Sequence, residues 1–215
     1  PAVVLGLAQP DDAAAVETDR GEIVAATVDS FRAFADDPYL VGRVAAVNAV
    51  SDLWAKGVTP RFALAQVSVP ETEPARAEET LYQVMAGARA ALDADGVTLV
   101  GGHTTTGPEL VVGFAAWGFA ASADALVRIG GVAPGDRLIL TKPLGTGVIL
   151  QADMRGLARG EWVEAAAASM LRSNGPAARA MIARRPSAAT DVTGFGLAGR
   201  SEEHTSELQS PIHIS

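Results

Sequence analysis

Asp37-Pro-Tyr-Leu-Val-Gly-Arg-Val-Ala-Ala-Val-Asn-Ala-Val-Ser-Asp-Leu-Trp-Ala-Lys-Gly57 decides the fold. From Tyr39 to Lys56 the stretch is rich in small and aliphatic residues and reads as one helix, with Gly57 and then Pro60 as its stop signals. Asn48 and Asp52, four residues apart, point from one face of that helix. Polar groups on an Ala/Val-rich helix need a partner, and by spacing alone a hydrogen-bonded capping or core pair accounts for them as well as a ligand site does. Upstream, residues 22–28 read as a strand that delivers Asp29 at its end. Downstream, residues 62–69 alternate as a strand, 74–94 form a long amphipathic helix closed by Gly96, and 97–100 form the next buried strand. Residues 110–121 are a further strand on which Gly113 and Gly118 permit close packing. This mixture predicts an α+β unit over residues 1–121. Pro134-Gly-Asp136 is a turn signal, and Arg137 to Thr141 begins a second block. The division is therefore a first domain at 1–121, a linker at 122–136 and the start of a second, truncated domain at 137–199. No internal repeat or low-complexity stretch interrupts it.

Three acidic motifs carry the chemistry: Pro10-Asp-Asp-Ala-Ala-Ala15, Asn48-Ala-Val-Ser-Asp52 and Thr190-Asp-Val-Thr-Gly-Phe-Gly196. Carboxylates flanked by Ala, Gly and Thr let a hard cation and a polyphosphate come close to the backbone. Taken alone, Asp11-Asp12 reads more readily as a turn or helix N-cap. Asp191 precedes a Gly-rich helix start, which offers both a cation ligand and free backbone N–H groups. Gly101-Gly102-His103-Thr104 follows a buried strand, and paired glycines there admit a ligand to the backbone, although a histidine in such a place is more often structural. Thr141-Lys-Pro-Leu-Gly-Thr-Gly147 lacks the residue order of a Walker phosphate loop, and Lys142 has no assigned role.

In order and wording these motifs resemble the selenide, water dikinase (selenophosphate synthetase) family, within the ATP-binding superfamily of aminoimidazole ribonucleotide synthetase. Leu99-Val-Gly-Gly-His-Thr104, Thr27-Val-Asp-Ser-Phe31 and Asp37-Pro-Tyr-Leu-Val-Gly-Arg43 belong to the same pattern, which runs from about Leu5 to Gly199. Gly156-Leu-Ala-Arg-Gly-Glu-Trp162 and Ala168-Ser-Met-Leu-Arg-Ser-Asn174 are similar to a branch fused behind a flavin- and nicotinamide-type oxidoreductase. The resemblance implies a two-domain aminoimidazole ribonucleotide synthetase-like fold and a cytoplasmic enzyme. Its reaction would be the ATP-dependent synthesis of selenophosphate from selenide and water, with AMP and phosphate released. It further implies Mg²⁺ on Asp12, Asp52 and Asp191, nucleotide contacts from Asp11, Asp29, Asp52, Gly102, His103 and Thr104, and a homodimer with ATP near its interface. The family's catalytic Cys or selenocysteine and Lys lie in a Gly-rich loop upstream of residue 1, so the 215 residues alone are expected to make no selenophosphate. A thiamine-monophosphate kinase-like member of the superfamily, and a non-catalytic ATP-binding or dimerisation module, are the alternatives.

Composition narrows the classes. With 215 residues and 48% hydrophobic content there is enough chain for one complete core and part of another. The formal net charge is −8, of which one arginine and three glutamates after Gly199 account for −2. An acidic chain with two lysines and no basic cluster argues against a nucleic-acid surface. The apolar run over 110–121 is too short and Gly-broken to span a membrane, and no membrane or nucleic-acid partner is expected. Residues 200–215 depart from the family pattern, reading as the in-frame translation of a short-read sequencing adapter and therefore as a non-native tail. Without that tail His103 is the only histidine, which leaves no His-based zinc site.

Overall fold

The computed structural model describes residues 2–194, 196 and 197; the expected adapter-like tail lies outside the described residues. Asp37 caps the decisive helix: its carboxylate accepts the N–H groups of Tyr39 and Leu40 at 2.9 and 3.2 Å, and Pro38 fills the first turn. The helix, α1, runs over Pro38–Ala55 with Lys56 as its C-cap, and Gly57 takes φ +77° just beyond, as the stop signal requires. Three strands precede it, β1 (Ala2–Leu5), β2 (Ala14–Glu17) and β3 (Ile23–Arg32), and β4 (Pro60–Pro70) follows. Helix α2 (Pro74–Ala94) then leads to β5 (Thr98–Gly107) and β6 (Val111–Ala120). The α+β reading is thus borne out, with β1 and β2 as additional short strands.

The six strands form one sheet in the order β1-β2-β3-β6-β4-β5. Only β4 and β5, joined through α2, pair in parallel; every other pair is antiparallel. Two strand expectations change. Strand β3 continues to Arg32 because it pairs with β6 along its whole length, so Asp29 sits within the strand rather than at its end. Strand β5 runs through Gly101 and Gly102 to Gly107, paired with β4, so Gly102-His103-Thr104 lies within the strand and does not follow it. The long apolar strands β4 and β6 do not form exposed edges. Each is paired on both sides, and the sheet ends at β1 and β5.

Helix α1 is buried around most of its circumference because it lies between the sheet on one side and α2 on the other. Its small residues make this possible. A Cβ at Gly42 would stand 2.0 Å from the Val84 carbonyl oxygen, and one at Gly87 would stand 2.1 Å from that of Tyr39. The two glycines therefore set how closely the helices approach. On the other side of the sheet, Val28, Leu64 and Phe119 are 71%, 41% and 48% exposed, and Phe62 packs on Trp117 with ring centroids 5.7 Å apart. No described element covers that face.

After β6 a short 3₁₀ turn (Ala123–Ala125) leads into an irregular stretch, so Arg137 to Thr141 starts no regular element. Three helices follow, α3 (Thr146–Asp153), α4 (Gly160–Met170) and α5 (Gly175–Ile182). The start of α5 rests on the C-terminal end of α1. Asn174 Nδ2 donates to Ser51 Oγ at 2.8 Å, and the Arg179 guanidinium lies 5.5 Å from the centre of the Trp54 ring. Asp95, just past α2, accepts from Ser173 Oγ at 2.7 Å.

Replacing Gly42 or Gly87 by Ala is expected to lower stability by about 2–3 kcal/mol, because the helices must part to admit the methyl group. At an exposed helix position the same change would stabilise by up to ~1 kcal/mol. Urea denaturation midpoints decide between these signs, and an unchanged or raised midpoint would show that the crossing is not close-packed.

Candidate functional site

The register between α1 and β3 creates the site. Thr27 and Asp29 are two residues apart on β3 and share its helix-facing side, while Asn48 and Asp52 are one helical turn apart on α1. The pairs interlock. Thr27 Oγ1 donates to Asp52 Oδ2 at 2.6 Å, and Asn48 Nδ2 donates to Asp29 Oδ2 at 2.8 Å. A hydrogen-bonded pair was the plain reading of Asn48 and Asp52; both are hydrogen-bonded, but to β3 and not to each other.

Two more carboxylates converge here. One ligand oxygen from each of Asp12, Asp52 and Asp191 lies within 4.8 Å of the others. The three come from the β1–β2 loop, α1 and the segment after α5, 40 and 139 residues apart in sequence. Asp52 and Asp191 are 8% and 9% exposed. Like charges gathered out of water disfavour ionisation. Burial first, and then the neighbouring Asp191 carboxylate, push the Asp52 carboxyl up to about 7 against the opposing hydrogen bond from Thr27. Thr190 Oγ1 supports the third segment by donating to Asp12 Oδ1 at 2.9 Å. Three closely spaced carboxylates, among them Asp52 with its raised pKa, suit a hard divalent cation, which binds oxygen donors and offsets their charge.

Asp11 belongs to the same loop but faces differently. Its carboxylate accepts the backbone N–H of Asp12 at 2.8 Å and of Ile129 at 3.0 Å, and pairs with Lys56. Lys56 also reaches Asp12 Oδ2 at 3.0 Å and the Ala189 carbonyl at 3.0 Å. Thr27, Lys56 and Thr190 are the site residues that motif reading passed over. The available signal was a lysine ending an otherwise apolar helix turn, Leu53-Trp-Ala-Lys56, but nothing in the sequence indicates where its ammonium goes.

Gly102, His103 and Thr104 are not brought to this cluster within one chain. They lie exposed on edge strand β5, three strand spacings from β3, or about 14 Å. Lys142 donates to the Arg172 carbonyl, and burial holds its ammonium below the ordinary lysine range.

Comparison with known proteins agrees with this architecture. Residues 10–120 match the family model "AIR synthase related protein, N-terminal domain". Curated relatives include the selenide, water dikinase of Desulfitobacterium hafniense, 38% identical over 203 residues that cover 94% of this chain and 58% of the relative. That of Bordetella bronchiseptica is 39% identical over 203 residues, covering 94% of this chain and 58% of the relative. The chain thus spans about 58% of the length of these relatives. Among solved structures, thiamine-monophosphate kinase from Stenotrophomonas maltophilia superposes with a TM-score of 0.69 at 23% identity, over 89% of this chain and 62% of that one. The hydrogenase maturation protein HypE of E. coli gives 0.68 at 20% identity, over 88% and 58%. The family match over residues 10–120, which takes in β2 to β6 with α1 and α2, places this chain in the AIR synthase-related family.

Proposed function

We propose that this chain is the ATP-binding portion of a selenide, water dikinase, which converts ATP, selenide and water to selenophosphate, AMP and phosphate. The observation that carries the reading is the convergence of Asp12, Asp52 and Asp191 from three distant segments to within 4.8 Å. Relatives of that name, at 38–39% identity across nearly the whole chain, support the choice of reaction. In this reading Asp12, Asp52 and Asp191 hold Mg²⁺, which when bound neutralises and orients the polyphosphate. Thr27 fixes the Asp52 oxygen and Asn48 fixes Asp29, so both carboxylates meet an incoming ligand in one geometry. Asp11 shapes the loop through its backbone hydrogen bonds, and Asp29 turns towards the nucleotide. Residues 1–121 act as the ATP-binding and dimerisation domain, 122–136 as the linker and 137–199 as the start of the second domain.

Gly102, His103 and Thr104 reach the nucleotide of a second copy. Within their own chain β5 is too far from the carboxylates, and among the described residues its outer edge is unpaired. The uncovered apolar face bearing Val28, Leu64 and Phe119 gives the second copy a surface to bury. Phosphoryl transfer at such a site is mainly positioning and charge neutralisation, which oriented carboxylates and strand backbone provide.

Three outcomes test the proposal. With the full-length protein, Mg²⁺-ATP and selenide, phosphorus NMR is expected to show selenophosphate together with AMP. ATP-dependent phosphorylation of thiamine monophosphate without selenophosphate would replace the reading by its closest alternative. Light scattering of the full-length protein is expected to give a dimer, and Leu64→Glu a folded monomer; a wild-type monomer refutes the shared site. The third outcome concerns Asp52. Because its folded-state pKa of about 7 lies above the ordinary carboxylate value of 3.8, the metal-free protein binds the proton more tightly when folded. This group's contribution to stability is therefore lost as pH rises from about 4 to about 7. Asp52→Asn keeps an acceptor for Thr27 and removes the charge. In chelator its melting temperature should vary less with pH between 5 and 8 than wild type and equal or exceed wild type at about pH 8, while Mg²⁺-dependent ATP turnover of the full-length enzyme falls by roughly 10²-fold or more. A sharp drop in melting temperature at every pH with normal turnover would make Asp52 a structural cap.

A further inference from the structure

Lys56 is the buried charged group that the proposed function leaves without a task. Its side chain is 0% exposed, and the sequence around it, Trp54-Ala-Lys-Gly57, would tolerate an apolar residue as a helix end. An ammonium taken out of water persists only where charge and hydrogen bonds offset the lost hydration. Here the offset is specific. The ammonium pairs with Asp11, lies 3.0 Å from Asp12 Oδ2 and donates to the Ala189 carbonyl at 3.0 Å. Its backbone is tied to the same neighbourhood: the Lys56 N–H donates to the Asp52 carbonyl at 3.0 Å, and the Lys56 carbonyl accepts from Val127 at 3.0 Å. Asp12 is therefore shared, with one oxygen on Lys56 and its carboxylate in the cluster with Asp52 and Asp191.

We propose that Lys56 is a resident cation of the acidic cluster: a positioning residue that neutralises Asp11 and part of Asp12 permanently and thereby sets how strongly the three-carboxylate site draws in a divalent ion. The proposal rests on the reading of Asp12, Asp52 and Asp191 as cation ligands. The charge argument is direct. A fixed positive charge one hydrogen-bond length from a ligand carboxylate repels a second cation at that carboxylate, and in a partly buried site the repulsion is only weakly screened. Lys56 thus keeps the loop of Asp11 and Asp12 assembled with Ala189 in the absence of metal, at the cost of weaker metal binding. A lysine serving only as a structural tie would have the first effect without the second, because removing it would loosen the ligands and weaken binding.

Magnesium alone is the probe, titrated into the full-length protein and into Lys56→Met by calorimetry, with melting temperatures measured in chelator and in millimolar Mg²⁺. Lys56→Met is expected to melt lower than wild type in chelator, to recover most of the loss in Mg²⁺, and to bind Mg²⁺ more tightly by roughly fivefold or more. Lys56→Gln removes the charge but keeps donors for Asp11 and Ala189, and serves if the methionine variant does not fold; it is expected to show the same tightening. Mg²⁺ binding by wild type with an unchanged or weaker constant in the folded variant overturns the role of Lys56, and so does a failure of both variants to fold even in Mg²⁺. Wild-type protein that takes up no Mg²⁺ overturns the cation site itself, and this proposal with it.

Discussion

Bringing carboxylates together away from water is the constraint on which this molecule turns. Asp12, Asp52 and Asp191 share a small volume, and there burial first and then the Asp191 carboxylate push the Asp52 carboxyl up to about 7. A fold accepts such a penalty only with compensation nearby. It is supplied by the Thr27 hydroxyl on Asp52, the Thr190 hydroxyl on Asp12 and the Lys56 ammonium between Asp11 and Asp12. Each comes from a different segment, so the site and the tertiary structure stabilise one another.

Close helix packing makes the arrangement possible. Gly42 and Gly87 let α1 and α2 approach until backbone meets backbone, and a helix covered on that side can turn Asn48 and Asp52 towards β3. The match of an i, i+4 spacing on the helix to an i, i+2 spacing on the strand then places two carboxylates on one seam. The later segment arrives by docking α5 on the end of α1, where Ser51, Trp54 and Asp95 receive Asn174, Arg179 and Ser173. Its backbone is secured near Lys56 by the bond from Ala189 to the Arg128 carbonyl at 3.1 Å.

Motif reading recovered the elements wherever a local signal was strong. Helix α2 spans the expected residues because Pro74 and Gly96 bound an amphipathic stretch, and α1 ends where Gly57 requires it. It failed where pairing overrode local preference. The strand was expected to end before Gly101-Gly102, yet the parallel ladder to β4 carries β5 through them; a Cβ at Gly102 would stand 2.2 Å from the Ala65 carbonyl oxygen, so that glycine answers a close backbone approach within a strand. Strand order is likewise a long-range property that no local pattern reveals, and the apolar strands β4 and β6 both lie inside the sheet.

The sequence by itself determined which residues are chemically unusual. Acidic groups set among small residues, an Asn–Asp pair on an apolar helix and a glycine pair after a strand are all visible as departures from local pattern, and their order identifies the family. Only the tertiary structure decided which of them meet. It brought Asp12, Asp52 and Asp191 together, set Asp11 against Lys56 and left Gly102, His103 and Thr104 on a distant edge. The physical reason is that electrostatic coupling depends on distance through a buried medium and not on separation along the chain. The partner of Lys56 was therefore unreadable until α1, the β1–β2 loop and the irregular segment around Ala189 had been packed together.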